Sequence, residues 1–163
     1  IRKNLDFIGL RGLSLVCNAA YIYSRVRFED GAPERDRPLA GQSPYLVNAG
    51  LFYQHDDKGI SASLLYNRIG KRIESVGVPM QNESEDIPDI YETPRNSLDL
   101  TFSKKIGKFV EIKAGVQGLL NTKVEYKRFV KLTDENGGKR EREQLIRSYR
   151  PGVDINVGVS LKF

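Results

Sequence analysis

The side chains best suited to chemistry are few in this chain, and they do not converge. His55 stands beside Asp56 and Asp57, a trio that could begin a metal site or an acid–base pair. It is the only histidine, so a histidine cluster is impossible, and the polarity around it reads more simply as a turn leading to Gly59. Cys17 is the only cysteine, which excludes a disulfide framework and a cysteine-rich metal site; on its apolar row it behaves as a small hydrophobe. Glu83, Glu85, Asp86, Asp89 and Glu92 face only Arg95 within residues 79–95, and a solvated loop accounts for them better than a funnel for cations. The run Lys139-Arg140-Glu141-Arg142-Glu143 is mixed in sign, which speaks for hydrated surface and against nucleic acid. Asn82-Glu83-Ser84 fits a glycosylation sequon, a pattern too short to carry weight. There is no Gly-x-Ser-x-Gly elbow and no phosphate-binding loop, and nothing singles out a carboxylate pair. The expectation is a protein that is not an enzyme, with no cofactor and no metal site.

The elements that would position these residues follow from composition and period. The chain has 163 residues, is 39% hydrophobic and 29% charged, and carries a net charge of +5. That suffices for one domain, and no stretch approaches the ~20 apolar residues of a membrane helix. Membrane β-strands, which alternate apolar and polar side chains, escape that exclusion.

Alternation is the dominant signal. Val153, Ile155, Val157, Val159, Leu161 and Phe163 fall on one face of the last segment, and Asp154, Asn156, Gly158, Ser160 and Lys162 on the other. Tyr149 extends the apolar row upstream. Leu98, Leu100 and Phe102 oppose Ser97, Asp99, Thr101 and Ser103. Over 110–121 an apolar row from Val110 opposes Glu111, Lys113 and Gln117; over 45–54 the apolar row has a tyrosine at each end, Tyr45 and Tyr53. Segments 60–68 and 13–28 alternate less cleanly, and residues 2–8 read as the end of an earlier strand. No helical period competes, so the fold class is all-β.

The connections alternate in length. Gly9–Gly12, Asp56–Gly59 and Gly107-Lys108 are short, whereas 29–44, 79–95 and 133–147 are long and rich in Pro, Gly and charge. Short turns on one side and long loops on the other are the habit of outer-membrane barrels. The row Asp99, Glu111, Lys113, Gln117, Asp154 and Asn156 is then a wet lumen wall, or else the solvent face of an ordinary sheet.

The chain resembles the C-terminal part of a TonB-dependent outer-membrane receptor of the Bacteroidetes type. The likeness is carried by Arg37-Pro-Leu-Ala-Gly-Gln-Ser-Pro-Tyr45 leading into Val47–Tyr53, by Ile90-Tyr-Glu-Thr-Pro-Arg-Asn96 leading into Leu98-Asp99-Leu100, by Gly115-Val-Gln-Gly-Leu-Leu-Asn121, and by Tyr149-Arg-Pro-Gly before the alternating strand to Phe163. Gly118 stands where the pattern usually has Asn. The resemblance implies antiparallel up-and-down transmembrane β-barrel strands, six to seven of them, within a barrel of about 22. It implies that residues 1–163 are the C-terminal barrel segment, with signal peptide and plug domain outside this chain. It also implies a bacterial outer-membrane location with a periplasmic C-terminus and extracellular long loops. Phe163 and Tyr149 would belong to the signal read by the barrel-assembly machinery. Val153, Ile155, Val157, Val159, Leu161, Leu98, Leu100 and Phe102 would face lipid. The implied function is capture of a scarce solute (small molecule, glycan or peptide) and its import with energy delivered by TonB through the absent part. Two other readings stand beside it: a small complete eight-stranded barrel with a structural or adhesive role, and a soluble β-sandwich binding module.

Overall fold

The architecture is that of a computed structural model, which describes all residues except 7–10, 33–35, 81–85, 134–137 and 163; for Thr133 and Lys139 it describes the backbone alone. The chain is all-β and antiparallel. Its main sheet has seven strands: β1 (Arg2–Asn4), β2 (Leu13–Tyr21), β3 (Tyr45–His55), β4 (Ile60–Ile69), β7 (Arg95–Ile106), β8 (Val110–Gln117) and β11 (Asp154–Leu161), hydrogen-bonded in that order. The sheet is open, with β1 and β11 at its edges. A second sheet holds β5 (Arg72–Ser75), β6 (Ile90–Glu92), β9 (Val124–Thr133) and β10 (Lys139–Tyr149), in the order β10-β9-β6-β5.

Strands of the two sheets follow one another directly along the chain. β5 follows β4 after Gly70-Lys71, β7 follows β6 after Thr93-Pro94, β9 follows β8 after residues 118–123, and β11 follows β10 after residues 150–153. The second sheet therefore continues four long strands past a common break. Asn121 and Gly118 both have positive φ there, 42° and 67°, and Pro151 removes a backbone donor next to Gly152.

The breaks correct several sequence expectations. The strand expected over 13–28 ends at Tyr21, and the one expected over 110–121 ends at Gln117. Much of the loop expected over 133–147 is strand: residues 139–149 pair with 124–133 in a ladder whose charged residues alternate across two faces, a period that charge alone hides. Tyr149 does not extend the apolar row of β11. It belongs to β10, pairs with Val124 in the second sheet, and stacks on Tyr126 with centroids 6.4 Å apart. Val153 precedes β11 rather than lying in it. Glu83, Glu85 and Phe163 lie outside the described residues.

Within the main sheet the register keeps the two faces distinct. One cross-strand row reads Leu15, Leu51, Leu64, Leu100, Val116, Ile155, aliphatic across six strands. The opposite face carries polar rungs: Ser63 Oγ and Thr101 Oγ1 at 2.6 Å, Ser61 Oγ and Ser103 Oγ at 2.7 Å, and Asn67 donating to Asn48. The apolar face of the main sheet is left largely open: Leu51, Leu100, Phe102, Ile155 and Val157 each keep more than a third of their surface exposed. Among the described residues the buried hydrophobic side chains, Ile73, Val124 and Tyr126, all belong to the second sheet. On the apolar side of β11, Ile155 and Val157 are 74% and 72% exposed.

One turn shows why glycine is required. Gly12, at φ 76°, accepts the Gln54 N–H on its carbonyl and donates to Asp6 Oδ1; a Cβ there would lie 2.1 Å from the Gln54 carbonyl oxygen.

Candidate functional site

The break between the sheets holds a cleft of about 430 Å3, lined among others by Asn67, Asp99, Gln117, Asn121 and Asp154. Its walls are built by the turn that ends β8. Asp99 Oδ1 accepts the Gly118 N–H at 2.8 Å and the Ser97 hydroxyl at 3.3 Å, while Leu119 donates to the Leu98 carbonyl. Asn121 Oδ1 accepts the Gly152 N–H at 3.1 Å, and the Asn121 carbonyl accepts Arg150 Nη1 at 3.0 Å. The short polar side chains of Asp99 and Asn121 thus replace the ladder bonds lost where the strands break.

Above the cleft, Glu92 is 3% exposed and bound by two arginines. Arg72 Nε and Nη2 both donate to Oε2, at 2.9 and 2.6 Å, and Arg95 Nε lies 3.3 Å from Oε1. Arg95 shares the polar side of β7 with Ser97 and Asp99, so the Glu92 side of the second sheet continues the polar side of the main sheet. Tyr126 lies across from Glu92, with the Arg147 guanidinium 4.3 Å from its ring centroid. Burial, followed by its bond to Tyr149, pushes the Tyr126 phenol above the usual tyrosine range. On the other side, Lys71 Nζ sits 4.0 and 4.2 Å from the ring centroids of Tyr91 and Phe129.

The residues expected to share the polar row do share it. Asp154 pairs with Gln117, Asn156 with Gly115 and Gly158 with Lys113, and Lys113 and Glu111 form an ion pair at 3.3 Å. Asp99, Gln117 and Asp154 are brought to the cleft; Glu111, Lys113 and Asn156 lie farther along the same face. Ile155, Val157, Val159, Leu161, Leu98, Leu100 and Phe102 share the opposite face. His55 accepts the Lys58 N–H in its turn at 3.4 Å. Cys17 pairs with Ala49 on the apolar face. Asp86 and Asp89 accept the N–H groups of Met80 and Gly77, so these two acidic residues organise their own loop. Among the described residues no group of histidine, cysteine and carboxylate side chains could hold a metal ion, and no helix is long and apolar enough to cross a membrane.

Arg72 and Arg147, which meet Glu92 and Tyr126, carried no signal in the sequence. Arg140 and Arg142, farther along the same side of the second sheet, did: they alternate with Glu141 and Glu143, which separates the charges once the segment is read as a strand.

The fold and cleft define an antiparallel, two-faced sheet with a polar recess at one end. Comparisons with protein families, curated proteins and solved structures find no match.

Proposed function

We propose that this chain is a stretch of wall from an outer-membrane β-barrel of the TonB-dependent receptor kind, serving the import of a scarce solute. The observation that carries the reading is the uncovered apolar face of a single-layer sheet. Apolar rows cross six strands, and Leu51, Leu100, Phe102, Ile155 and Val157 on them keep more than a third of their surface exposed. In water such a face has to be covered; in a bilayer it is the stable arrangement.

Strand lengths and stagger support this. The spanning strands run from 8 residues in β8 and β11 to 12 in β7. That brackets the ~9–11 residues of a tilted transmembrane strand. The apolar band begins at Tyr21 and Tyr45, then below Arg68 and Asn96, then at Val116 and Ile155. By register Ile155 lies three alternate-residue rows from Tyr21, a drift of about one residue per strand. With a rise of ~3.3 Å per residue and ~4.8 Å between strands, that drift is a tilt of ~35°. Membrane barrels tilt by ~35–45°.

In this reading the short turns at 56–59 and 107–109 face the periplasm, and the second sheet stands in the extracellular space around the solute's path. Lipid covers the apolar face. The edges β1 and β11 pair with further barrel strands, because lipid offers no partner for their free N–H and C=O groups. Plug, TonB contact and barrel-assembly machinery belong to the same proposal.

The test is extraction from outer membranes followed by electrophoresis with and without boiling. A heat-shifting band several times heavier than 18.4 kDa is the expected result. A heat-shifting band near that mass would replace the receptor with a small complete barrel, and a monodisperse protein without detergent would overturn the membrane reading.

A further inference from the structure

The β9–β10 hairpin sorts its charges by side. Across the ladder Tyr126 pairs with Arg147, Arg128 with Gln144, Val130 with Arg142 and Leu132 with Arg140, all on the Glu92 side. Glu125, Glu141 and Glu143 fall on the other side, where Glu143 pairs with Lys127 at 2.6 Å. Along β9 and β10 the Glu92 side therefore has arginines and no carboxylate. Arg128 Nε donates to the neutral Gln144 Oε1 at 2.7 Å, so its charge is oriented without being neutralised. Tyr126 and Tyr149 lay stacked rings beside this row.

We propose that this side of the second sheet binds a small soluble oligoanion, a polycarboxylate or polyphosphate, through Arg128 and Arg142. Guanidinium forks match carboxylate and phosphate oxygens in pairs. Diagonal neighbours on adjacent strands stand ~7–8 Å apart, close enough for two guanidinium forks to hold separate anionic groups of one molecule. The proposal names the substrate class of the import reading and rests on that reading for its role. The row adjoins the cleft through Glu92 and Arg95, so an anion held there sits above the polar side of the main sheet.

The experiment is calorimetric titration of the protein, purified in detergent from whichever cell fraction holds it, with citrate and with tripolyphosphate; spermine and maltotriose serve as controls. Both anions are expected to bind, and R128Q/R142Q to weaken them at least ~10-fold, the loss of about one charge-assisted contact. E141Q/E143Q, which raises net charge on the opposite side, is expected to leave affinity within ~2-fold, since exposed charges across a sheet are screened. Absence of anion binding, or equal binding of spermine, overturns the proposal. So does insensitivity to R128Q/R142Q, or strengthening by E141Q/E143Q on the scale of that loss. Capture of phosphatidylglycerol vesicles through the same arginines, in preference to citrate, would make the source a lipid headgroup and also overturn it. Should the double variant misfold, phenylglyoxal labelling of the wild-type protein decides. Citrate is expected to protect Arg128 and Arg142, and unchanged labelling refutes the site. Recovery from the soluble fraction would sink the barrel reading while leaving the anion test to run.

Discussion

Arg72 places two guanidinium nitrogens on a single carboxylate oxygen of Glu92, and does so where that carboxylate is almost wholly removed from water. The pair joins β5 to β6, and Arg95 ties the same carboxylate to the first residue of β7. The ion cluster thus pins the second sheet to the main one across the Thr93-Pro94 break. A charge so buried is stabilising only while its partners remain, because a desolvated carboxylate left alone has no compensation.

Glu92→Gln is therefore expected to loosen the second sheet selectively. Breaking a fully buried pair costs ~3–5 kcal/mol, and the arginines here keep about a third of their side-chain surface in water, so ~2–3 kcal/mol is expected. Hydrogen exchange should quicken at β5, β6 and β9 and stay unchanged at β2 and β3. Uniform loss of protection would mean that the cluster holds the whole fold.

The two faces of β11 should tolerate charge differently. Val157 lies on the cross-strand row of Ala114, Phe102 and Ala62, whereas Ser160 pairs with Glu111. Val157→Arg is expected to cost ~2–4 kcal/mol on folding into vesicles. Ser160→Arg should be far milder, with Glu111 across from it. Equal damage from the two, measured by denaturant titration in lipid, would reverse the assignment of faces.

Gly12→Ala should destabilise the turn into β2 by more than ~1 kcal/mol, since the left-handed backbone and the Gln54 carbonyl both reject a Cβ. Gly107→Ala, also at positive φ but with open space around it, separates the two effects: it should cost only the backbone strain. Thermal or urea midpoints of the two variants decide. A smaller loss at Gly12 than at Gly107 would contradict the clash with the Gln54 carbonyl.

Acid should release the segment between β2 and β3. Asp36 accepts the Phe28 N–H and pairs with Arg25 at 2.8 Å; the backbone bond first, and then the arginine, hold its carboxyl below the ordinary value of 3.8. A lowered carboxylate stabilises the fold above its unfolded value, and that contribution fades as pH falls through the folded value. Protection of the Phe28 amide, taken relative to its free-chain exchange rate, is expected to fall below about pH 4, and in Asp36→Asn to be low and flat across the same range. A wild-type profile equally flat would dismiss the anchor.

The sequence by itself determined the all-β class, the two faces of the main strands and the short turns that join them. Each depends on local properties: a period of two residues fixes which side chains share a face, and glycine at a turn fixes where the chain reverses. The rows of Val157 and of Asn156 were therefore readable one residue at a time. Tertiary structure alone decided that β8 pairs with β11 across an intervening hairpin, and that Tyr149 stacks on Tyr126 instead of extending the β11 row. It also decided that Glu92 is the buried one among the described acidic residues. Those outcomes depend on partners far away in sequence. A mixed-sign run such as 139–143 becomes a cationic side and an anionic side only when a ladder to β9 holds it extended.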